Sequence, residues 1–196
     1  RQMCIRDRFY INKTVENGWS RNMLLNMIES SLYYREGASI NNFSSCLPAS
    51  QSSLAQELTK DPYNFDFLTL RDGYLERELE DALTDNITKF LIELGNGFAY
   101  VGRQVRLEVG GDEFFIDLLF YHLKLRSYVV IELKTGDFQP EYIGKLGFYV
   151  SAINHEMKLP QDNPTIGLLI CKSKNNIVAR YTLDTANLPS VSLNMN

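Results

Sequence analysis

Hydrophobic positions recur at helical spacing up to about residue 94, then change to strand-like runs. Leu24, Ile28 and Leu32, with Met27, fall on one face of a helix. Ser20 precedes them as N-cap, and Trp19 and Leu24 have the spacing of a hydrophobic staple. The Ser/Asn-rich stretch ASINNFSSCLPASQSS reads as loop, and a short helix around Leu54–Leu58 is broken at Asp61-Pro62. From about Leu75 to Leu94 the pattern predicts one longer helix, with Leu79, Leu83, Ile87, Phe90 and Leu94 on one face and Gly95-Asn96-Gly97 as its stop. The strands follow. FAYVGRQVRLEV and DEFFIDLLFYH flank Gly110-Gly111 as a hairpin, and RSYVVIELKT comes after a short LKL connection. The last two strands are apolar on both faces, as expected of strands covered on each side.

These elements divide the chain. MCIRDR, residues 3–8, looks like a translated sequencing-adaptor end, so residues 1–8 are set aside as an artefactual leader. Residues 9–60 read as the end of an N-terminal helical domain, 61–72 as a connector, and 73–196 as an α/β domain. On this reading the chain is a truncated C-terminal portion of a longer protein.

Composition narrows the function classes. A net charge of −4 gives no support to non-specific nucleic-acid binding. No apolar run approaches the roughly 20 residues of a membrane span. Cys4, Cys46 and Cys171 show no CxxC spacing, which argues against a disulfide framework or zinc site and fits a reducing cytoplasm. Of the two histidines, His122 lies at a strand end on the face opposite Asp117, and His155 follows a helix. Both read as structural or solvent-exposed, and no Ser/His/Asp or Cys/His arrangement can be argued.

The chemistry lies in FFIDLLFYHLKLRSYVVIELKTG, residues 114–136, where an apolar stretch carries Asp117, Glu132 and Lys134. Buried charges need a partner. A turn over Leu123–Arg126 sets His122 against Ser127, and counting outward puts Asp117 opposite Glu132, with Lys134 one pleat further on the same face. Two carboxylates about 5 Å apart repel by roughly 3 kcal/mol at an effective dielectric of ~20, a large part of a typical domain's stability. A shared Mg²⁺ relieves this, with the Leu133 carbonyl as a further oxygen ligand. The alternative is a Lys134–Glu132 salt bridge with Asp117 at a solvated strand end. Glu76 shares the core-facing side of the long helix, either to favour its N-terminus through the dipole or to join the metal site; Glu80, further round, is the reserve.

Asp117 with Glu132-Leu133-Lys134 resembles the PD-(D/E)XK nuclease motif. More specifically, GFAYVGRQVRLEVGGDEFFIDLLFYHLKLRSYVVIELKTG and NPTIGLLICKSKN are similar to the nuclease domain of the YhcG family. The resemblance implies an α/β, restriction-endonuclease-like core: helix, β-hairpin strands, ExK strand, helix, strand. It also implies metal-assisted hydrolysis of DNA phosphodiester bonds. Asp117 and Glu132 would bind Mg²⁺ or Mn²⁺, and Lys134 would orient the water or stabilise charge in the transition state. Such nucleases often carry Gln-hydrophobic-x-x-Tyr on the following helix. Here Lys145 replaces the glutamine and Tyr149 is retained. Arg103, Arg106, Lys124 and Arg126, with Lys145, are available for phosphate contacts. The competing readings are a nuclease-fold module that holds DNA without cutting it, and an assembly subunit that forms a homodimer or meets a partner through the N-terminal helical region.

Overall fold

Strands β2 (Phe98–Val109), β3 (Asp112–His122) and β4 (Ser127–Asp137) form an antiparallel meander, since each connection is too short for a crossover. In this computed structural model residues 2–196 are described, with side chains from Cys4 onward. Gly110 and Gly111 both have positive φ, 64° and 91°, the signature of the two-residue hairpin turn that closes Val109 on Asp112. Helix α8 (Glu141–Glu156) carries the chain across to β5 (Ile166–Ser173), and α9 (Asn176–Thr185) carries it to β6 (Ser190–Asn194), both pairings being parallel. With the two-residue β1 (Ile40–Asn41), the sheet order is β1-β6-β5-β4-β3-β2. The Asp117 and Glu132 strands are thus central neighbours, as the uninterrupted apolar runs of β4 and β5 require.

Helices cover both faces. On one side α6 (Glu76–Asp85) and α7 (Ile87–Leu94) bury Leu79, Leu83, Phe90 and Leu94 against Leu118, Phe120, Ile131 and Leu133. On the other, Ile143, Leu146, Val150 and Ile153 of α8 pack on Ile116, Leu119, Val130 and Leu169. Gly167 permits this approach: a Cβ there would lie 2.7 Å from Leu146 Cγ.

Two readings of the helical half need correction. The helix expected over 75–94 is two helices broken at Asn86 (φ −106°, ψ 32°), whose side chain donates to the Ala82 carbonyl at 3.0 Å. Thr84-Asp85-Asn86 are weak helix formers that compete locally for backbone groups, and Asn86 both ends α6 and opens α7. The region read as one helical domain over 9–60 also divides. Helices α1 (Gln2–Asn17), α2 (Arg21–Glu29) and α3 (Leu32–Arg35) close on their own small cluster of Tyr10, Met27 and Leu32. In contrast, β1 joins the sheet, and Phe43 and Leu47, around α4 (Phe43–Cys46), and Ala55 of α5 (Ala49–Leu58) belong to the main core. Residues 61–65 are no loose connector: Tyr63 and Phe65 are buried, and their N–H groups bond to the Asn194 and Asn196 carbonyls. Of the segment set aside as a leader, residues 2–8 lie within α1, and Arg1 lies outside the described residues.

Candidate active site

The β3–β4 register is the one the turn length dictates, His122 against Ser127 through Leu118 against Ile131. The ladder stops there, one pair short of Asp117 and Glu132. On the other side of β3 the next pairing also lapses, between Arg103/Leu118 and Val105/Ile116, where Gln104 takes a left-handed φ of 44°. The register is unbroken across this gap; the bulge of the β2–β3 ribbon lies at Val101, between Tyr100 and Gly102. Leu118 and Phe120 belong to the α6–α7 side of the core, whereas Ile116 and Leu119 both belong to the α8 side, so the alternation of faces slips by one at Asp117. There Leu133 N–H donates to Asp117 Oδ2 at 2.9 Å.

Glu132 is fully buried. Its Oε1 accepts a bond from Lys145 Nζ and lies 3.5 Å from Lys134 Nζ, while its Oε2 is buried with no hydrogen-bond partner. Lys134 Nζ donates to Glu76 Oε2 at 2.8 Å and to the Leu133 carbonyl at 2.9 Å, and stands 5.5 Å over the Tyr142 ring. Lys145 lies 5.3 Å over the ring of Tyr149, one helical turn along α8. The structure therefore brings together Asp117, Glu132, Lys134, Glu76, Lys145 and Tyr149. The simple alternative of a Lys134–Glu132 pair beside a solvated Asp117 does not describe it, because Asp117 is half-buried and the nearest partner of Lys134 is Glu76.

Electrostatics follow from burial. The Glu132 pKa is raised, first by desolvation and then by the Asp117 charge, against the pull of Lys145 and Lys134. Asp117 is also raised, by desolvation, although the Leu133 hydrogen bond and the two lysines oppose it. Burial, more than the mutual repulsion expected from cross-strand geometry, leads in both. Lys134 is lowered by burial, but its hydrogen bond to Glu76 and the charge of Glu132 more than offset this and leave it raised.

Glu80, the reserve candidate, is buried one turn beyond Glu76 and accepts from Gln104 Nε2 at 2.5 Å. Burial raises its pKa, and Asp117 adds to the shift. Glu76 and Glu80 thus both reach the site's surroundings, by different contacts. Gln104 and Tyr142 were not legible, since neither stands in a pattern that marks it.

Four of the proposed phosphate contacts are not assembled here. Arg103 is paired with Asp81 at 2.5 Å, and Arg106 with Glu113 at 2.5 Å and Glu108 at 3.1 Å. Lys124 and Arg126 sit in the β3–β4 turn, about 20 Å from Glu132 by strand rise. His122 is structural: it is buried, accepts from Leu125 N–H, and packs on Phe98. His155 is exposed, with its ring nitrogen 2.8 Å from the Ser151 carbonyl.

The donor set fits a hard divalent cation. Among the described residues no group of three or more His, Cys, Asp and Glu converges on one point. Mg²⁺ needs no such cage, because it keeps several waters and takes one or two carboxylates. The orphaned Glu132 Oε2, beside Asp117, is the kind of buried acceptor such an ion satisfies.

Comparison with known proteins bears on this arrangement. The family profile described as the YhcG PDDEXK nuclease domain matches residues 56–193. A curated protein of Escherichia coli (strain K12), named "Putative nuclease YhcG", is 37% identical over 189 residues, covering 94% of this chain and 50% of that protein. The chain therefore spans about half the length of this curated relative. Among solved structures, a repair endonuclease from Pyrococcus abyssi aligns at 19% identity and a TM-score of 0.40, over 64% of this chain and 48% of that one. A structure of an EndoMS–dsDNA complex aligns at 19% identity and a TM-score of 0.43, over 64% and 49%. The mixed sheet with helices on both faces is the restriction-endonuclease-like architecture that the motif implied. A profile running from α5 into β6, and a relative matched along nearly the whole chain, place this protein in the YhcG PDDEXK nuclease domain family.

Proposed function

We propose that this domain hydrolyses phosphodiester bonds in DNA with the help of Mg²⁺ or Mn²⁺ held by Asp117 and Glu132. The observation that carries the reading is the buried, unpartnered Oε2 of Glu132 beside Asp117, in a chain of nuclease family. The Leu133 carbonyl adjoins the pair, where it accepts from Lys134 Nζ at 2.9 Å and keeps a second lone pair for a further ligand. When bound, the ion supplies Lewis acidity toward the scissile phosphate. Asp117 is held in place through Leu133 N–H, and Glu132 through its burial. Lys134 stays protonated at neutral pH, because its pKa is raised rather than lowered. Its part is then a donor to negative charge that develops on the phosphate oxygens, not a general base. Glu76 fixes the Lys134 ammonium and acts as a positioning residue. Free Cys46 and buried Cys171, whose thiol burial pushes up to about 12, suit a reducing cytoplasm.

Incubation of the protein with single-stranded, duplex and branched DNA, with and without Mg²⁺ or Mn²⁺, tests the proposal. Cleavage that needs the ion and is lost in Glu132→Gln supports it. Binding of DNA without cleavage under every condition selects the second reading, a non-catalytic module. The contact favouring that reading is Lys145 on Glu132, which occupies one of the carboxylate oxygens an ion would need.

A further inference from the structure

We infer that Lys145 is a resident counter-cation of the metal-free site, which must leave Glu132 before a divalent ion can settle between Asp117 and Glu132. The inference rests on the metal-nuclease reading above. Two ammonium groups stand at one oxygen, Glu132 Oε1, and they are held very differently. Lys134 has a side chain only 11% exposed and is anchored by Glu76 and the Leu133 carbonyl. Lys145 is 47% exposed, and beyond Glu132 it has only the face of the Tyr149 ring. A lysine is a compact charge on a flexible four-carbon stem, so an ammonium at the mouth of the site can swing into water while its helix stays in place.

Contact and charge both favour that movement. Lys145 Nζ occupies Glu132 Oε1, one of the oxygens an ion would need. Three carboxylates, Asp117, Glu132 and Glu76, face two ammonium groups, Lys134 and Lys145. A divalent ion entering with both lysines in place would turn the small negative excess positive in a poorly solvated space, whereas departure of Lys145 leaves it neutral. Lys134 is the buried ammonium, held by Glu76 and the Leu133 carbonyl together, so Lys145 is the one to go. A glutamine at position 145 would be neutral and would not compete. The lysine therefore keeps Glu132 Oε1 paired until an ion displaces it, and it weakens ion binding by the same interaction.

Calorimetric titration of Mn²⁺ into the wild-type protein, Lys145→Gln and Lys145→Met tests this. Both variants should bind Mn²⁺ more tightly, by about 10- to 100-fold, the range of ordinary coupling between sites. A side chain that merely supports the fold would weaken binding on removal, so the direction is diagnostic. Wild-type protein supplies a second measurement that needs no variant: amine labelling read by mass spectrometry should be faster at Lys145 with Mg²⁺ present and unchanged at Lys134. Equal or weaker Mn²⁺ binding in both variants, or Lys145 labelling indifferent to Mg²⁺, overturns the inference and leaves the nuclease reading intact. If none of the three proteins binds Mn²⁺, both fall together.

Discussion

Glu132→Gln separates what the site costs from what it does. In the metal-free protein Glu132 is a fully buried carboxylate with one unpartnered oxygen. Removing its charge strands no cation: Lys145, half-exposed, returns to water, and Lys134 keeps Glu76 at 2.8 Å. Removing the charge also relieves a buried acceptor that no group satisfies, which costs about 1–3 kcal/mol. The amide leaves one buried donor unsatisfied, which costs about 1 kcal/mol or more. A net gain of roughly 1 kcal/mol is then expected, or about 2–4 °C in Tm for a chain of this size. With Mn²⁺ at 100 times its Kd the wild type gains about 2.7 kcal/mol from binding, and the variant gains little. The order of stability should therefore reverse between EDTA and Mn²⁺, while DNA cleavage is lost. The pH dependence has a definite sign. Because the Glu132 pKa is raised from 4.5, ionising it costs stability as pH rises through the raised value, and the advantage of the variant in EDTA should widen with pH. Thermal scans in the two buffers between pH 5 and 8 (~0.5-unit steps are ample) check this. A variant less stable than wild type in EDTA, or equally stabilised by Mn²⁺, refutes the reasoning.

Three further outcomes follow from other parts of the molecule. Lys134→Ala should keep Mn²⁺ binding, measured by calorimetry, and lower kcat by about 10²–10³-fold, as for the loss of one donor to transition-state charge. Lys60, buried with its pKa lowered from 10.5 to about 8, carries a burial cost of about 3 kcal/mol when charged. That cost is present in full below pH 8 and relieved toward 10.5, so Lys60→Met should raise Tm at pH 7 and lose the advantage by pH ~10, with Arg35 still holding Glu93 at 2.5 Å. Gly167→Ala should destabilise by about 1–3 kcal/mol in chemical denaturation, because its Cβ would meet Leu146 at 2.7 Å and lift α8 from β5.

What could be read from the chain is what local rules control. A four-residue turn and period-two alternation led to the pairing of His122 with Ser127, which runs to Leu118 with Ile131, one pair short of Asp117 and Glu132. Glu76, read as a helix-dipole residue or a member of the metal site, instead pairs with Lys134. The lapse in pairing at Gln104 and Asp117 escaped, because a left-handed glutamine has no glycine to announce it. Strand β1 escaped for a different reason. Its partner β6 lies about 150 residues away, and two residues in a Ser/Asn-rich segment show no periodicity. The position of Lys145 against Glu132 depends on how α8 crosses the sheet, which side-chain packing at Gly167 and Leu146 decides.

The short stretch beside the end of β6 limits how the chain can be divided. Tyr63 and Phe65 look like spacer residues, yet each fills the interior and binds the final residues through the backbone. Asp61 adds a pairing with buried Lys174 and accepts the Asn194 N–H at 2.9 Å. A fragment begun at residue 73, just ahead of α6, would keep every residue of the candidate site. It would also lose two buried aromatic rings worth roughly 2–3 kcal/mol each, leave Lys174 buried without its counter-charge, and free the last strand along one edge. The unit that can be expressed whole is therefore larger than the candidate site, and even Glu36, where the small helical cluster meets the sheet-bearing core, is no clean seam, because Arg35 pairs with buried Glu93 and Glu36 bridges Lys60.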